Sequence, residues 1–311
     1  MNNGKGIFED KTQELAPQLI RAGMIADAVW TDYDGDGKKD LFLVGEWMKI
    51  RVFKNENNHF VEKTNEAGLG ETSGWWNTIE AKDLDGDGDI DFICGNHGLN
   101  SRFHASSQKP VLCYINDFDQ NGKIEQISCT YNGDFSFPFI LRHDLLAQLP
   151  YLKKKYLKYA AYAGQTIQDM FDPVLLSKSI INKATMLESI VLINKGNGKF
   201  EIRKLPMEAQ LSPVYAICVK DIDRDGFEDI ILGGNLYGVK PEVGRYDASH
   251  GAFLKGTGNG NFVSIPSRET GLFLDGQIRD IKIIQIKGRE MLMVARNNDR
   301  PQSFLINQRK K

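Results

Sequence analysis

The stretch Asp32-Tyr-Asp-Gly-Asp-Gly-Lys-Lys-Asp40 decides how this sequence is interpreted. Its pattern, D-x-D-x-[DN]-G-x-x-[DE], returns at 83–91, 117–125 and 221–229. We call these stretches loops 1 to 4 in chain order. Carboxylates packed into nine residues repel one another unless a cation lies between them. Asp-Gly pairs are also common turn formers, but repetition of the pattern in one register favours a shared ligand over simple turns.

Calcium is the cation that this pattern favours. Ca²⁺ takes about 6–8 oxygen ligands, and such a loop offers side chains at positions 1, 3, 5 and 9, a carbonyl at position 7 and a glycine turn at position 6. The predicted ligands are Asp32, Asp34, Asp36, Lys38 and Asp40 in loop 1, Asp83, Asp85, Asp87, Asp89 and Asp91 in loop 2, Asp117, Asp119, Asn121, Lys123 and Glu125 in loop 3, and Asp221, Asp223, Asp225, Phe227 and Asp229 in loop 4. Position 7 contributes only its carbonyl. We expect three to four structural Ca²⁺ ions, with loop 3 as the departure because it has Asn and Glu at positions 5 and 9.

The loops differ from the helix–loop–helix calcium site. That site needs a bidentate Glu at position 12. Position 12 here is occupied by Leu43, Cys94, Ser128 and Leu232. Short β-branched or aromatic runs follow loops 1, 2 and 4 and end at Gly45, Gly95 and Gly233. The loops are therefore expected to join strands.

A second hairpin follows several of the loops. An apolar run, an Asn/Gly turn and a run that opens on Phe recur at 53–60, 192–200 and 254–262. Repeated units of two hairpins predict an all-β fold, a β-propeller of four-stranded blades. Units near 24–64, 75–131, 134–206, 212–267 and 278–309 give about five blades, as a whole ring or as part of a larger one.

The predicted domain organisation is one propeller over residues 1–311. Leu145, Leu149, Leu152 and Tyr156 recur at helical spacing, which predicts a helical insertion near 143–187. Residues 1–10 are similar to the turn and strand that the last unit lacks. They are expected either to complete the last blade or to be left from a truncated preceding blade.

These motifs resemble the FG-GAP/VCBS repeats of calcium-binding β-propellers, over about 23–262. The stretches 95–101, 148–154 and 244–249 look like the C-terminal propeller of Bacteroidetes surface proteins related to the ASPIC/UnbV (cartilage acidic protein) group. The resemblance implies a non-catalytic, extracytoplasmic protein, secreted or on the cell surface, whose partner is a protein or a glycan. It places calcium on the acidic residues of the loops. Residues 1–10 do not have the pattern of a signal peptide.

Composition limits the other classes of function. The chain has 311 residues with 39 Lys and Arg against 41 Asp and Glu, so we expect no nucleic-acid partner bound by phosphate neutralisation. No apolar run reaches the length of about 18 residues that a membrane span needs. Four cysteines cannot form a disulfide framework. Cys113 and Cys129 could form one bond across a hairpin, or remain free cysteines packed in strands.

The leading hypothesis is a calcium-stabilised propeller that presents loops to a protein or glycan. No H-E-x-x-H, G-x-S-x-G, C-x-x-C or P-loop motif marks a catalytic residue. The alternative is a carbohydrate-active enzyme, a lyase or hydrolase, on the same scaffold. It would need converging acids or a Tyr/His/Arg cluster in a pocket away from the loops.

Several further residues are candidates for binding, each with a structural alternative. Trp47 and Trp75-Trp76 would stack on a sugar or pack between blades. The run Lys153–Lys155 with Lys158 would contact an anionic polymer or form a solvated face. His97 and His104 would form a zinc or polar site or simply hydrogen-bond within their loop. The loop 237–250 is long and polar, as recognition loops often are.

Overall fold

The computed structural model describes residues 2 and 4–306, and within them the protein is all-β with short helices. The strands are β1 (Met24–Thr31), β2 (Asp40–Met48), β3 (Arg51–Glu56), β4 (His59–Glu62), β5 (Gly74–Trp75), β6 (Thr78–Lys82), β7 (Asp91–Gly95), β8 (Val111–Asn116), β9 (Glu125–Asn132), β10 (Phe135–Pro138), β11 (Ile180–Ala184), β12 (Ile190–Asn194), β13 (Phe200–Lys204), β14 (Val214–Lys220), β15 (Asp229–Gly234), β16 (Ala252–Gly256), β17 (Phe262–Ile265), β18 (Ile278–Ile286), β19 (Arg289–Arg296) and β20 (Gln302–Leu305). The α-helices are α1 (Thr12–Leu15), α2 (Arg142–Gln148), α3 (Tyr159–Tyr162), α4 (Ile167–Met170), α5 (Pro173–Ser177) and α6 (Ser267–Thr270). Single 3₁₀ turns lie at Pro17–Leu19, Pro150–Lys154 and Met207–Gln210. None of the described helices is long and apolar enough to cross a bilayer.

The chain divides into two compact units. Unit 1 contains the residues up to Ser101 and those from Leu187 onward, and unit 2 contains Arg102–Met186. Unit 2 is thus a long insertion in the chain of unit 1. The helical insertion expected near 143–187 corresponds to α2–α5 at 142–177, but the compact unit begins earlier and includes strands β8–β11.

Unit 1 consists of antiparallel sheets. Their strand orders are β1-β2-β3-β4 with β5 on β2, then β6-β7-β12-β13, β14-β15-β16-β17 and β18-β19-β20. The second sheet is completed by strands that follow the insertion, because Ile190 of β12 pairs with Cys94 of β7. This pairing differs from the expected units at 75–131 and 134–206. Two hairpins far apart in sequence form one sheet, and the hairpin repeats alone could not show which of them pair.

The sheets of unit 1 pack in series through their first strands. Strand β6 lies between β1 and β14, and β14 also contacts β18. Between the first two sheets, the rings of Phe42 and Phe92 stack with centroids 4.0 Å apart, and Phe200 packs edge-on against both. Burial of these aromatic side chains stabilises the packing of sheet on sheet.

Trp76 belongs to this interior and is not a binding residue. Its side chain is fully buried, and its indole N–H donates to the carbonyl of Thr72 at 2.8 Å. The structural alternative therefore holds for Trp76. Trp47 and Trp75 are half-buried and pack edge to face, with ring centroids 5.0 Å apart.

Unit 2 has its own sheet and its own core. The strand order is β10-β9-β8-β11, and α2 to α5 cover the sheet with Leu145, Leu149, Leu152, Tyr156 and Ile167 buried. The helical spacing seen in the sequence is therefore the buried side of these short helices.

The disulfide between Cys113 and Cys129 does not form, and both cysteines are free. The hairpin register places Cys129 opposite Leu112 and Cys113 opposite Ser128. Since adjacent residues of a strand point to opposite faces, the two sulfur atoms lie on different faces of the sheet.

The N-terminal segment does not form the fourth strand of the last sheet within the described residues. That sheet is β18-β19-β20, and the pairing described for residues 2–10 is an isolated bridge between Asn2 and Phe8. Met1 and Asn3 lie outside the described residues. The assignment of this segment to the last blade stays a prediction.

Candidate metal centres

Each acidic loop joins the two antiparallel strands of a hairpin. Loops 1, 2 and 4 connect β1 to β2, β6 to β7 and β14 to β15 in unit 1, and loop 3 connects β8 to β9 in unit 2. The expectation that the loops join strands is confirmed. The sheets hold both ends of each loop, so the acidic side chains are brought close together by the hairpin itself.

The four loops share one hydrogen-bond network. The carboxylate at position 1 accepts the backbone N–H of the glycine at position 6, at 2.8 Å for Asp32, 3.0 Å for Asp83, 2.8 Å for Asp117 and 3.0 Å for Asp221. Position 5 accepts the N–H of position 7 in every loop. These glycines have positive φ, 81° at Gly37 and 97° at Gly226. A side chain there would be strained, which accounts for glycine at position 6.

Position 9 has a structural role that the sequence pattern did not reveal. Asp40, Asp91 and Asp229 are fully buried at the start of the second strand. Asp91 accepts the N–H of Leu84 within its own loop at 2.9 Å and the N–H of Asn194 in β12 at 2.7 Å. Asp40 and Asp229 make the equivalent pairs of bonds. This carboxylate therefore ties the acidic loop to the next hairpin of the same sheet.

Replacing Asp91 with Ala is expected to lower the free energy of unfolding by about 3–5 kcal/mol, because two buried N–H groups lose their acceptor. Urea unfolding monitored by circular dichroism measures the loss. The control is Asp89→Ala at position 7, whose proposed ligand atom is a backbone carbonyl. A loss below about 1 kcal/mol for Asp91→Ala, comparable to that of an exposed residue, would contradict the anchoring role.

The acidic side chains converge within each loop. Carboxylate oxygens of Asp32, Asp34 and Asp36 lie within 4.8 Å of one another, as do those of Asp221, Asp223 and Asp225. In loop 2 the converging residues are Asp83, Asp85 and Asp91, and in loop 3 they are Asp117, Asp119 and Glu125. Each loop could therefore hold a metal ion. All of these donors are oxygen atoms, which suits a hard cation.

Burial disfavours the charged form of several of these acids. It raises the pKa of Asp40 and Asp229, and it raises that of Asp91 to about 6. The pKa of Asp85 is also raised, mainly by burial. The exposed Asp36 shifts the other way: the hydrogen bond from the backbone N–H of Lys38 lowers its pKa. A cation would favour ionisation of the buried acids, whereas their surroundings oppose it.

Two lysines that the sequence analysis did not single out lie against the loops. Lys54 of β3 forms ion pairs with Asp34 and Asp36, and Lys255 of β16 does so with Asp223 and Asp225. These contacts raise the pKa of both lysines, chiefly through hydrogen bonds to the aspartates. Lys54 and Lys255 each directly precede the residue whose backbone N–H donates to the carboxylate at position 9. Beside loop 2 the equivalent residue is Ile193, which precedes Asn194.

One observation favours a cation even where a lysine is present. Oδ1 of Asp32 is buried and has no hydrogen-bond partner among the described residues. An unpaired buried carboxylate oxygen costs free energy unless a ligand satisfies it. Lys54 therefore leaves one donor atom of loop 1 available, and the residues of the loop fit a bound metal ion.

The other candidate residues are separated. His97 lies in unit 1, where its ring packs edge-on against Trp75 and Tyr246 at 5.0 and 4.8 Å, and burial lowers its pKa to about 4. His104 lies in unit 2. Within unit 1, the row Trp47–Trp75–His97–Tyr246 joins the ends of β2 and β5 to the segments that follow β7 and β15.

A polar cavity opens where the first strands of the unit 1 sheets meet. It has a volume of about 450 Å³ and is lined by Asp27, Glu80, Tyr215, Arg279 and Asp280 among others. The carboxylate of Asp27 accepts hydrogen bonds from the hydroxyl of Thr78 and the backbone N–H of Ile79, each at 3.0 Å. These bonds link β1 to β6. Burial raises the pKa of Glu80. The guanidinium of Arg279 lies 4.3 Å from the ring centre of Tyr215.

Loops 1 and 2, which share one hydrogen-bond network, lie within a segment that is similar to a known repeat. Residues 32–94 match the FG-GAP-like repeat family. The matched segment starts at position 1 of loop 1 and ends in β7, so it contains both loops and the hairpin between them. Loops 3 and 4 lie outside the match and share its hydrogen bonds.

No curated protein sequence matches the chain. Among solved structures, the biofilm matrix protein Bap1 of V. cholerae aligns over 87% of this chain with 9% identity and a TM-score of 0.28, and the chain spans 59% of the length of Bap1. An Agrocybe aegerita lectin that recognises non-reducing terminal N-acetylglucosamine aligns over 94% of this chain and 83% of its own, with 14% identity and a TM-score of 0.21.

Proposed function

We propose that this protein is a non-catalytic, calcium-binding β-propeller that presents loops to a protein or glycan outside the cytoplasm. The observation that carries the proposal is the repeated loop, in which acids converge through one hydrogen-bond network. Antiparallel sheets packed in series and an FG-GAP-like repeat support the propeller. The resemblance to the ASPIC/UnbV group supports the extracytoplasmic location.

The residues proposed to hold calcium are those of the loop pattern. Side-chain oxygens at positions 1, 3 and 5, the carbonyl at position 7 and the carboxylate at position 9 offer five donor groups, and a bidentate carboxylate brings the oxygens to about the six that Ca²⁺ needs. Bound calcium would supply positive charge. The chain itself supplies the geometry of the site, because its glycine turns and the buried residues at position 9 hold the donors in place before any ion binds.

Isothermal titration of the full chain with calcium tests the proposal. We expect saturable binding of three to four ions, at the micromolar to millimolar affinities of sensor and extracellular sites. A chain that binds no calcium while fully folded would remove the proposal.

Replacing Lys54 and Lys255 with Met is expected to raise calcium affinity at loops 1 and 4 by about fivefold. Each ammonium competes with the ion for the same carboxylates, and removing a charge near two acids is worth about 1 kcal/mol or more at the surface. The same titration measures the change. Lys39→Met is the matched control, because Lys39 lies within loop 1 and forms no ion pair with its acids among the described residues; it should leave affinity unchanged. Unchanged affinity in the Lys54→Met/Lys255→Met variant would show that the lysines do not share the site.

The partner surface is proposed to lie on unit 1, at the ends of β2 and β5 and on the loop 237–250. Trp47 and Trp75 form an aromatic pair, and in the loop 237–250 the guanidinium of Arg245 lies 4.9 Å from the ring centre of Tyr237. Aromatic and Arg side chains on loops suit recognition of protein or glycan. A glycan and protein screen run with and without calcium would identify the partner class.

The cavity of unit 1 favours a second candidate, a carbohydrate-active lyase or hydrolase. It brings Glu80, Asp27 and Asp280 together with Tyr215 and Arg279, away from the acidic loops. Such a cluster could serve acid–base chemistry on a sugar. Incubation with polysaccharides and assay of new reducing ends or unsaturated products would distinguish the candidates. Activity lost in Glu80→Gln would favour the enzyme.

A further inference from the structure

A surface of unit 2 combines positive charge with exposed apolar side chains. Residues 141–162 contain five Lys and Arg against one acidic residue. The segment from Tyr151 to Tyr159 is anchored by Leu152 and Tyr156, which are 3% and 1% exposed. Between these anchors the chain turns its other side chains outward. We call Leu141, Arg142, Lys153, Lys154, Leu157, Lys158 and Tyr159 the basic–apolar surface.

Leu157 and Tyr159 lie outside the hydrophobic core of unit 2 and are exposed. Leu157 is 75% exposed and Tyr159 is 65% exposed, while Leu149, Leu152 and Tyr156 before them are buried. Leu157 lies at a bend between the 3₁₀ turn and α3. Two large apolar side chains within three residues, projecting from a bend, differ from the single exposed apolar residues common on protein surfaces.

Arg142 holds this bend in place. Its guanidinium donates to the carbonyls of Tyr156 and Leu157 at 2.8 and 2.9 Å, and it lies 4.9 Å from the ring centre of Tyr159. The backbone is therefore fixed while the side chain of Leu157 points away from it. Because the bend is fixed before any contact, ordering it on a partner costs little entropy.

The lysines around the bend are free to meet an anionic partner. None of the described residues forms an ion pair with Lys153, Lys154 or Lys158. Lys155 is different, because its ammonium donates to the carbonyl of Asp169 and lies over the ring of Tyr156. Of the nearby acids, Asp144 contacts His143 and Asp169 accepts hydrogen bonds from Thr166. The acids of loop 3 lie on the Tyr151 side of the segment, where the Tyr151 hydroxyl donates to the carbonyl of Phe118. Lys153, Lys154 and Lys158 therefore present their charge without an acidic ion-pair partner among the described residues.

We propose that the basic–apolar surface docks unit 2 on an anionic phospholipid bilayer. A lipid interface offers both anionic headgroups for the lysines and an apolar phase for Leu157 and Tyr159. A soluble polyanion would satisfy only the lysines and leave the apolar side chains in water. The inference does not depend on the proposed calcium sites, since none of these residues belongs to an acidic loop.

Vesicle sedimentation of the full chain tests the proposal. In a buffer of about 0.1 M salt, we expect partition into phosphatidylcholine vesicles with about 30% phosphatidylserine and little partition into pure phosphatidylcholine. Changing Lys153, Lys154 and Lys158 to Gln should weaken partition by about fivefold for each lysine. The double variant Leu157→Ser/Tyr159→Ser should weaken it by about tenfold or more.

The matched control is Val174→Ser/Lys178→Gln, an exposed apolar residue and a lysine elsewhere in unit 2, which should bind as the parent does. If the lysine variant loses binding while Leu157→Ser/Tyr159→Ser keeps it, the surface binds anionic polymers and the proposal is wrong. Equal partition into neutral and anionic vesicles would also overturn it. If a variant fails to fold, hydrogen exchange of the parent chain decides. Amides 156–160 should exchange more slowly on anionic vesicles, and unchanged exchange there refutes docking.

Discussion

Excess EDTA is expected to lower the midpoint of thermal unfolding by about ten degrees or more relative to the same protein in millimolar calcium. An ion that binds only the folded chain, at a free concentration of about 100 times its dissociation constant, stabilises that chain by about 2.7 kcal/mol per site. Each kcal/mol shifts the midpoint of a chain of this size by about 2–4 °C. With three to four such loops, the combined effect is the largest that we expect from any change of conditions.

The reason lies in the charges of the loops. Metal-free loops keep several carboxylates within 4.8 Å of one another, and burial already opposes ionisation of Asp40, Asp91 and Asp229. In the unfolded chain these acids separate and are solvated, so the repulsion acts on the folded state alone.

Differential scanning calorimetry measures the change, with magnesium at the same concentration as a control. Magnesium prefers near-ideal octahedral geometry and retains its water, so it should restore less of the lost midpoint than calcium does. An unchanged midpoint in EDTA, with the metal removed completely, would show that hydrogen bonds alone hold the loops and that no structural ion is required.

Replacing Gly45 with Ala is expected to cost about 3 kcal/mol or more of unfolding free energy, because the added methyl group has no space. A Cβ atom at Gly45 would lie 2.0 Å from the carbonyl oxygen of Met24. Gly234 is equivalent in the third sheet, where the distance to the carbonyl oxygen of Pro213 would be 1.8 Å. At both places a β-bulge in the first strand brings its backbone against the second strand.

Urea unfolding measures this loss, and Gly238→Ala is the control. No heavy atom lies within 4 Å of a Cβ built at Gly238, and its φ is not in the left-handed region. This control should change stability by about 0.5 kcal/mol or less. If Gly45→Ala is as well tolerated as Gly238→Ala, the first sheet does not need the close approach of β1 and β2 seen here.

The acidic loops could be predicted from the sequence because their chemistry is local. Position 1 accepts the N–H of position 6 and position 5 accepts that of position 7, so both partners of each bond lie within seven consecutive residues of the pattern. The same holds for the strands on either side, whose apolar runs lie next to the loop. The core role of Leu145 and Leu149 likewise followed from spacing within one segment.

The features that could not be predicted depend on partners far away in the sequence. Asp91 binds Asn194, and β7 pairs with β12, across the whole of unit 2. Lys54 and Lys255 reach the loops only because the following hairpin folds back beside them. The free state of Cys113 and Cys129 depends on a hairpin register that the spacing of the two residues does not fix.

The sequence by itself determined the all-β class, the four acidic loops and the oxygen chemistry that they offer, since each is a property of short stretches of chain. Only the tertiary structure decided which hairpins share a sheet, which acids are buried anchors, and which lysines and apolar side chains remain at the surface. The physical reason is that burial and pairing depend on what packs against a residue, and many residues can separate those neighbours along the chain.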